Sequence, residues 1–223
     1  MNFKTEIVVD NCLLIKFNEQ KDLTMSFFRV QEYYESANPN LYQKAFTLET
    51  FVEEQMKSDG ELNYFNYWTG FNVPGYVIEE WSNKINAEYY PRESMLISLI
   101  KDRLNLDRKY YVIGTLMNDT NTIDHEIAHA LYYMNLDYKN EMSELIKEFQ
   151  TNHIDDYNRM CSVLTNTRQY GNNVLFDEIQ AYMATEPKKE LIKDFGMDYS
   201  NCKDMVKKFK KVLLKYNTYE HIG

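Results

Sequence analysis

Glycine and proline are scarce in this chain of 223 residues, at seven and four. With so few turn-formers among many polar helix-formers, the chain is expected to be largely helical. Cysteine is scarcer still: Cys12, Cys161 and Cys202 lie far apart, and no Cys-x-x-Cys pair exists. That excludes a disulfide scaffold and a thiolate zinc knuckle, and suits a reduced, cytoplasmic setting. No stretch approaches 18 uninterrupted apolar residues, so no membrane span is expected. The opening "MNFKTEIVVDNCLLIKF" has no basic region ahead of an apolar run, and Glu6 and Asp10 interrupt it, so it does not read as a signal peptide. Basic residues number 25 against 34 acidic, a net charge of −9. That deficit argues against a general nucleic-acid binder, because phosphate contacts need an excess of lysine and arginine.

The residues that remain are those of a soluble globular protein. The apolar fraction is 44% and the charged fraction 26%, with 19 tyrosines and 12 phenylalanines. The length suits one domain, or one domain with two lobes. Residues 1–17 read as a hairpin, "TEIVV" and "CLLIKF" about a "DN" turn. Leu23, Phe27, Val30 and Tyr34 recur at helical spacing, and that helix should end near Asn38 and Pro39. Thr47 can cap a second helix, stopped by "SDG". "LNYFNYW" reads as a strand, "TGFNVPGY" as a loop entering a helix at Pro74, and Pro91 as the start of a further helix. "KYYVIGTL", residues 109–116, is the clearest strand. Beyond the polar loop "MNDTN" the chain reads as helices, at about 138–153, 156–166, 174–186 and 200–217. The expected fold class is therefore α+β, with a mixed α/β lobe over 1–119 and a helical lobe over 120–223.

At the junction stands "TIDHEIAHALYY", residues 122–133. Thr120 or Asn121 can cap its helix, with Ile123, Ile127, Ala130, Leu131 and Met134 facing a core. His125 and His129 are then one turn apart on one face, which lets both imidazoles reach a single tetrahedral Zn²⁺. Glu126 is placed to take a proton from a water that the metal activates. A third ligand is needed. His153 and His221 have no supporting context, and His153 reads better as a helix-end residue. In "FDEIQAYMA", residues 176–184, Glu178, Ala181 and Tyr182 share a face, and small Ala181 allows a neighbouring helix close. Glu178 is thus the candidate third ligand. Asp124 and Asp177 each precede a proposed ligand and can either orient an imidazole or favour a helix N-terminus.

"HEIAH" followed by "EIQA" on a later helix resembles the zincin metallopeptidases, specifically the gluzincins, whose third ligand is a glutamate. Glu178 follows His129 by 49 positions, a gap nearer that of the lethal-factor type, including its proline-specific clostridial relatives. The resemblance covers roughly residues 109–186. It implies a zincin-like fold, one Zn²⁺ on His125, His129 and Glu178, and hydrolysis of a protein or peptide substrate with Glu126 as base. It further implies that residues 110–116 edge the cleft and pair with extended substrate. Those relatives carry a tyrosine ahead of the third ligand that stabilises the oxyanion. Here Tyr170, before Gly171 in "QYGNNVLFDE", takes that place at a spacing one residue longer, with Tyr182 as a second candidate. The first hundred residues match no peptidase lobe. The alternative is a catalytically silent zincin-fold binding protein with a structural metal. The lysine-rich face of "NCKDMVKKFKKVLLKY" reads better as a solvated face of a docked helix than as a surface for acidic partners or membranes.

Overall fold

The computed structural model describes residues 2–168, 170–171 and 174–219, with only the backbone described at Asp59, Tyr67, Thr120 and Asn121. The chain divides into two compact units, Met1–Ile123 and Asp124–Gly223.

The first unit is α+β. The expected hairpin forms from β1 (Phe3–Val9) and β2 (Cys12–Phe17), antiparallel about Asp10 and Asn11. Asn11 takes the left-handed conformation at φ 59°, which asparagine tolerates in tight turns. Helix α1 (Gln20–Glu35) buries Leu23, Phe27 and Val30 as their spacing predicts. Helix α2 (Leu48–Asp59) is capped by the Thr47 side chain, which accepts from the Thr50 N–H, and ends at left-handed Gly60.

Two expectations fail in the next stretch. The expected strand "LNYFNYW" is a one-turn helix, α3 (Tyr64–Tyr67), and the expected loop contains β3 (Gly70–Pro74). Tyr64 packs edge-on to Phe51 at 4.9 Å, and Phe65 packs against Phe28 at 5.9 Å. These aromatics serve a core between helices, and a run this short does not separate helix from strand by period alone. Helix α4 (Gly75–Lys84) starts just after Pro74, and α5 (Pro91–Arg103) places Pro91 in its first turn, as expected.

Strand β4 (Tyr111–Leu116) completes a four-stranded sheet of order β1-β2-β4-β3. It pairs parallel with β2 from Tyr111 to Leu116 and antiparallel with β3 from Tyr111 to Thr115. The expectation that residues 110–116 form a cleft edge for substrate is therefore wrong, since β4 is interior and both its hydrogen-bonding edges are used. Its near-continuous burial from Tyr111 to Thr115 is the pattern of such a strand. Helix α1 packs on the sheet, with Phe27 stacked on Phe71 at 5.5 Å and edge-on to Phe17 at 6.3 Å.

The unit boundary falls within α6 (Thr120–Met134), and the second unit is helical: α7 (Leu136–Asn152), α8 (Ile154–Ser162), α9 (Leu175–Thr185), α10 (Lys188–Phe195) and α11 (Tyr199–Tyr216). A π-helical stretch, Val163–Thr167, extends α8. Helix α10 lies outside the expected set. At eight residues it is shorter than the window over which a helical period is read, although Leu191 and Phe195 are buried at the expected spacing of four. Helix α9 is the buried centre, packed against α7, α8 and α11. Ile179, Ala181 and Met183 are fully buried on it. The lysine face of α11 is partnered within the unit, Lys208 with Glu148 and Lys215 with Glu141. Among the described residues no helix is long and apolar enough to cross a membrane.

Candidate metal centre

Helix α6 forms for the reasons its pattern gives, with Ile123, Ile127, Ala130 and Leu131 all buried. Its cap differs from expectation. Thr120 and Asn121 lie inside the helix, and the Asp119 carboxylate accepts from the Thr122 N–H at 3.2 Å and from its hydroxyl at 2.7 Å. Aspartate serves here as well as threonine or asparagine, because any short side-chain oxygen can satisfy the orphan donors of the first turn.

At the start of the second unit, His125 and His129 present their Nε2 atoms to each other at 3.2 Å. Glu178, on α9, brings Oε1 to 3.9 Å from His129 Nε2. The ligand atoms of these three residues all lie within 4.8 Å of one another. Bonds of about 2.0–2.1 Å at tetrahedral angles put two ligand atoms about 3.3 Å apart. The histidine pair already has that separation, and the carboxylate stands slightly farther out. His129 and Glu178 are buried and His125 is half-buried. Among the described residues, Glu178 Oε2 is buried without a hydrogen-bond partner. Two imidazole nitrogens and a carboxylate with a spare buried oxygen make a donor set that fits a divalent cation.

The other ring nitrogens are held by oxygen acceptors. His129 Nδ1–H donates to Asp177 Oδ1 at 2.8 Å, and His125 Nδ1–H to the Thr185 hydroxyl at 3.4 Å. The Thr185 hydroxyl in turn donates to the Ala181 carbonyl at 2.7 Å, which leaves its lone pairs for His125. This network assigns both tautomers so that each Nε2 faces the shared point. Asp177 thus takes the orienting role. Asp124 does not, since its carboxylate accepts from Asn217 at the end of α11.

The electrostatics divide the pair. Burial, then the charges of His129 and Arg168, hold His125 well below the usual imidazole range. Burial also opposes charge on His129, but Asp177, Glu178 and Glu126 outweigh it and raise this histidine well above the usual range. Burial pushes the Glu178 carboxyl up to about 7, helped by Asp177 and Glu126 and opposed by His129 and Arg168. Of the two imidazoles, His129 is therefore the one that its carboxylate neighbours favour in the charged form, and His125 the one that burial favours as neutral. Glu126 is itself buried, and its charge acts on both His129 and Glu178.

Tyr170 is half-buried and hydrogen-bonds Tyr182, whose ring packs 4.7 Å from that of His125. Burial, then Glu178, pushes the Tyr182 phenol up to about 12. Arg168 donates to the Tyr182 hydroxyl, with its guanidinium 4.7 Å from the Tyr182 ring and 5.1 Å from that of Phe195. Its N–H closes the π-helical stretch on the Val163 carbonyl at 3.0 Å, and such wide turns often mark functional sites. Sequence reasoning missed Arg168, as no local pattern marks it. His153 sits between α7 and α8 beside Phe149, away from the donor group, which matches its helix-end reading. His221 lies outside the described residues.

No protein-family model matches the chain, and comparison with curated proteins and with solved structures finds no significant similarity.

Proposed function

We propose that this chain is a zinc-dependent peptidase. The observation that carries the reading is the convergence of His125, His129 and Glu178 on one point, with the buried Glu126 carboxylate close enough for its charge to act on His129 and Glu178. A structural site has no need of that extra carboxylate, whereas hydrolysis does. When bound, zinc supplies a Lewis acid and brings water toward ionisation near neutral pH. The chain's own residues supply the rest. Glu126 takes the proton of the attacking water and returns it to the leaving amine. Asp177 holds His129 in one orientation, and Tyr170, beside Tyr182, is the donor for the developing oxyanion. The substrate class is a peptide or protein. The three cysteines form no disulfide, which supports a reducing, cytoplasmic setting.

The test is metal content followed by cleavage. Chain purified without added metal should hold one zinc, and Glu178→Ala should lose it. A peptide library should then be cleaved by wild type, while Glu126→Gln keeps its zinc and loses activity by about 10²–10⁴-fold. Zinc without any cleavage would leave a binding protein with a structural metal. No zinc in either chain, even after it is supplied, would remove the metal reading and the enzyme with it.

A further inference from the structure

Behind the histidine pair runs a second line of polar groups, which the hydrolytic reading does not use. Gln180 follows Asp177 by three positions on α9 and is fully buried, flanked by Ile179, Ala181 and Met183. An amide in such surroundings costs about 1–3 kcal/mol if its hydrogen bonds go unmade. Both of its ends are bonded. The Gln180 Nε2–H donates to Asp177 Oδ1 at 3.0 Å, the same oxygen that receives His129 Nδ1–H. Gln180 Oε1 accepts from the hydroxyl of Tyr138, itself fully buried on α7, at 2.6 Å. Tyr138 is held from behind by the edge of Tyr216 on α11, with ring centroids 5.5 Å apart.

The directions of these bonds are fixed by chemistry. The Asp177 carboxylate can only accept, so the amide nitrogen must face it. Gln180 Oε1 is then left toward Tyr138, whose hydroxyl must donate, and a flip would set two acceptor oxygens against each other at Asp177. With Gln180 donating to it, Asp177 Oδ1 has its remaining lone pair directed at His129. His129 Nδ1 must then carry the hydrogen, and Nε2 is left toward His125 and Glu178.

We propose that Gln180 and Tyr138 are positioning residues for the metal, setting its affinity through Asp177 and the orientation of the His129 ring. The proposal rests on the metal-site reading above and goes one shell beyond it. It also accounts for a glutamine and a tyrosine hydroxyl in a helix interface that apolar side chains could fill.

The experiment is zinc affinity of the full chain, measured by competition with a chromogenic chelator, for wild type, Gln180→Met, Tyr138→Phe and Met183→Leu. Methionine keeps the volume of glutamine, and Tyr138→Phe removes a single oxygen, so both variants should retain the fold. Loss of a group that orients a metal-bound histidine typically weakens binding about 10–100-fold. Gln180→Met should fall in the lower part of that range, and Tyr138→Phe should lose less, about 3–10-fold, because Asp177 keeps its amide donor. Met183→Leu alters the same helix without touching the chain of bonds and should bind zinc as wild type does. Wild-type affinity in both Gln180→Met and Tyr138→Phe would overturn the proposal, as would an equal loss in Met183→Leu, which would mark a general packing effect. Failure of wild type to bind zinc overturns the site and this proposal together. Zinc binding with the expected losses but no peptide cleavage would overturn the peptidase alone.

Discussion

Glu178 occupies a position where its charge is costly without a cation. Its carboxyl stands at about 7 against an ordinary 4.5. Between those values the folded, metal-free chain holds a proton that the unfolded chain has released. This group's contribution to stability therefore falls as pH rises through that window. Glu178→Gln keeps the shape and removes the ionisation. The melting temperature of metal-free wild type should thus fall relative to that of Glu178→Gln between about pH 5 and about pH 7.5. Excess zinc at the upper pH should reverse the order, because only wild type gains a ligand-bound folded state. Parallel pH profiles without metal would show that Glu178 is not buried as described. At this scale the sequence was a good guide wherever one helix sets the geometry. His125, Glu126 and His129 follow from 3.6 residues per turn, and Asp177 from its place beside a ligand. Gln180 was not legible, because its meaning depends on Tyr138, 42 positions away on another helix. Arg168 depends likewise on Tyr182 and on a π-turn that no periodicity announces.

Helix patterns survived translation into structure better than strand patterns. The helices starting near Gln20, Leu48 and Pro91 carry three or more buried positions or a clear cap, and each formed where expected. The stretch from Leu62 to Pro74 did not, because short aromatic runs suit a helical turn and a strand alike. Strand β3 holds Gly70, Asn72 and Pro74, residues that usually mark turns, and it is tolerated as an edge strand with its proline at the end. The error over β4 has a related cause, since a run of apolar residues identifies a strand without naming its neighbours. Its interior position makes a direct prediction. A Cβ on Gly114 would meet the Phe27 ring at 2.5 Å and Leu23 Cδ1 at 2.9 Å, both from α1. Gly114→Ala should therefore cost about 1–3 kcal/mol, read as a lower denaturant midpoint with zinc content unchanged. An unchanged midpoint would mean that α1 does not lie so close to the sheet.

The whole molecule separates its stabilising features from its chemistry. Every residue placed in the metal centre belongs to the second unit, whereas a separate buried ion pair lies in the first. There Arg29 is paired with Glu93, and both side chains are almost fully buried. Arg29 Nε–H donates to Glu93 Oε1 at 2.7 Å, and further donors reach the Phe46 and Glu88 carbonyls at 3.2 and 2.9 Å. Its guanidinium lies 4.4 Å from the Tyr90 ring and 5.6 Å from that of Trp81. Glu93 Oε2 also accepts from the Tyr90 N–H at 2.8 Å, so one ion pair joins α1, α5 and the segments before each of α2 and α5. A buried pair adds little net energy over apolar packing, but removing one partner strands the other charge at a cost of about 3–5 kcal/mol. Both tryptophans of the chain, Trp68 and Trp81, lie in this unit, so their fluorescence reports on it and not on the metal centre. Glu93→Gln should accordingly lower the fluorescence-detected melting temperature by roughly 10–20 °C. Zinc per chain, measured well below that transition, should stay at the wild-type value. A loss of zinc in Glu93→Gln at low temperature would show that the first unit's core holds the metal ligands in place, and the division of labour between the units would then fail.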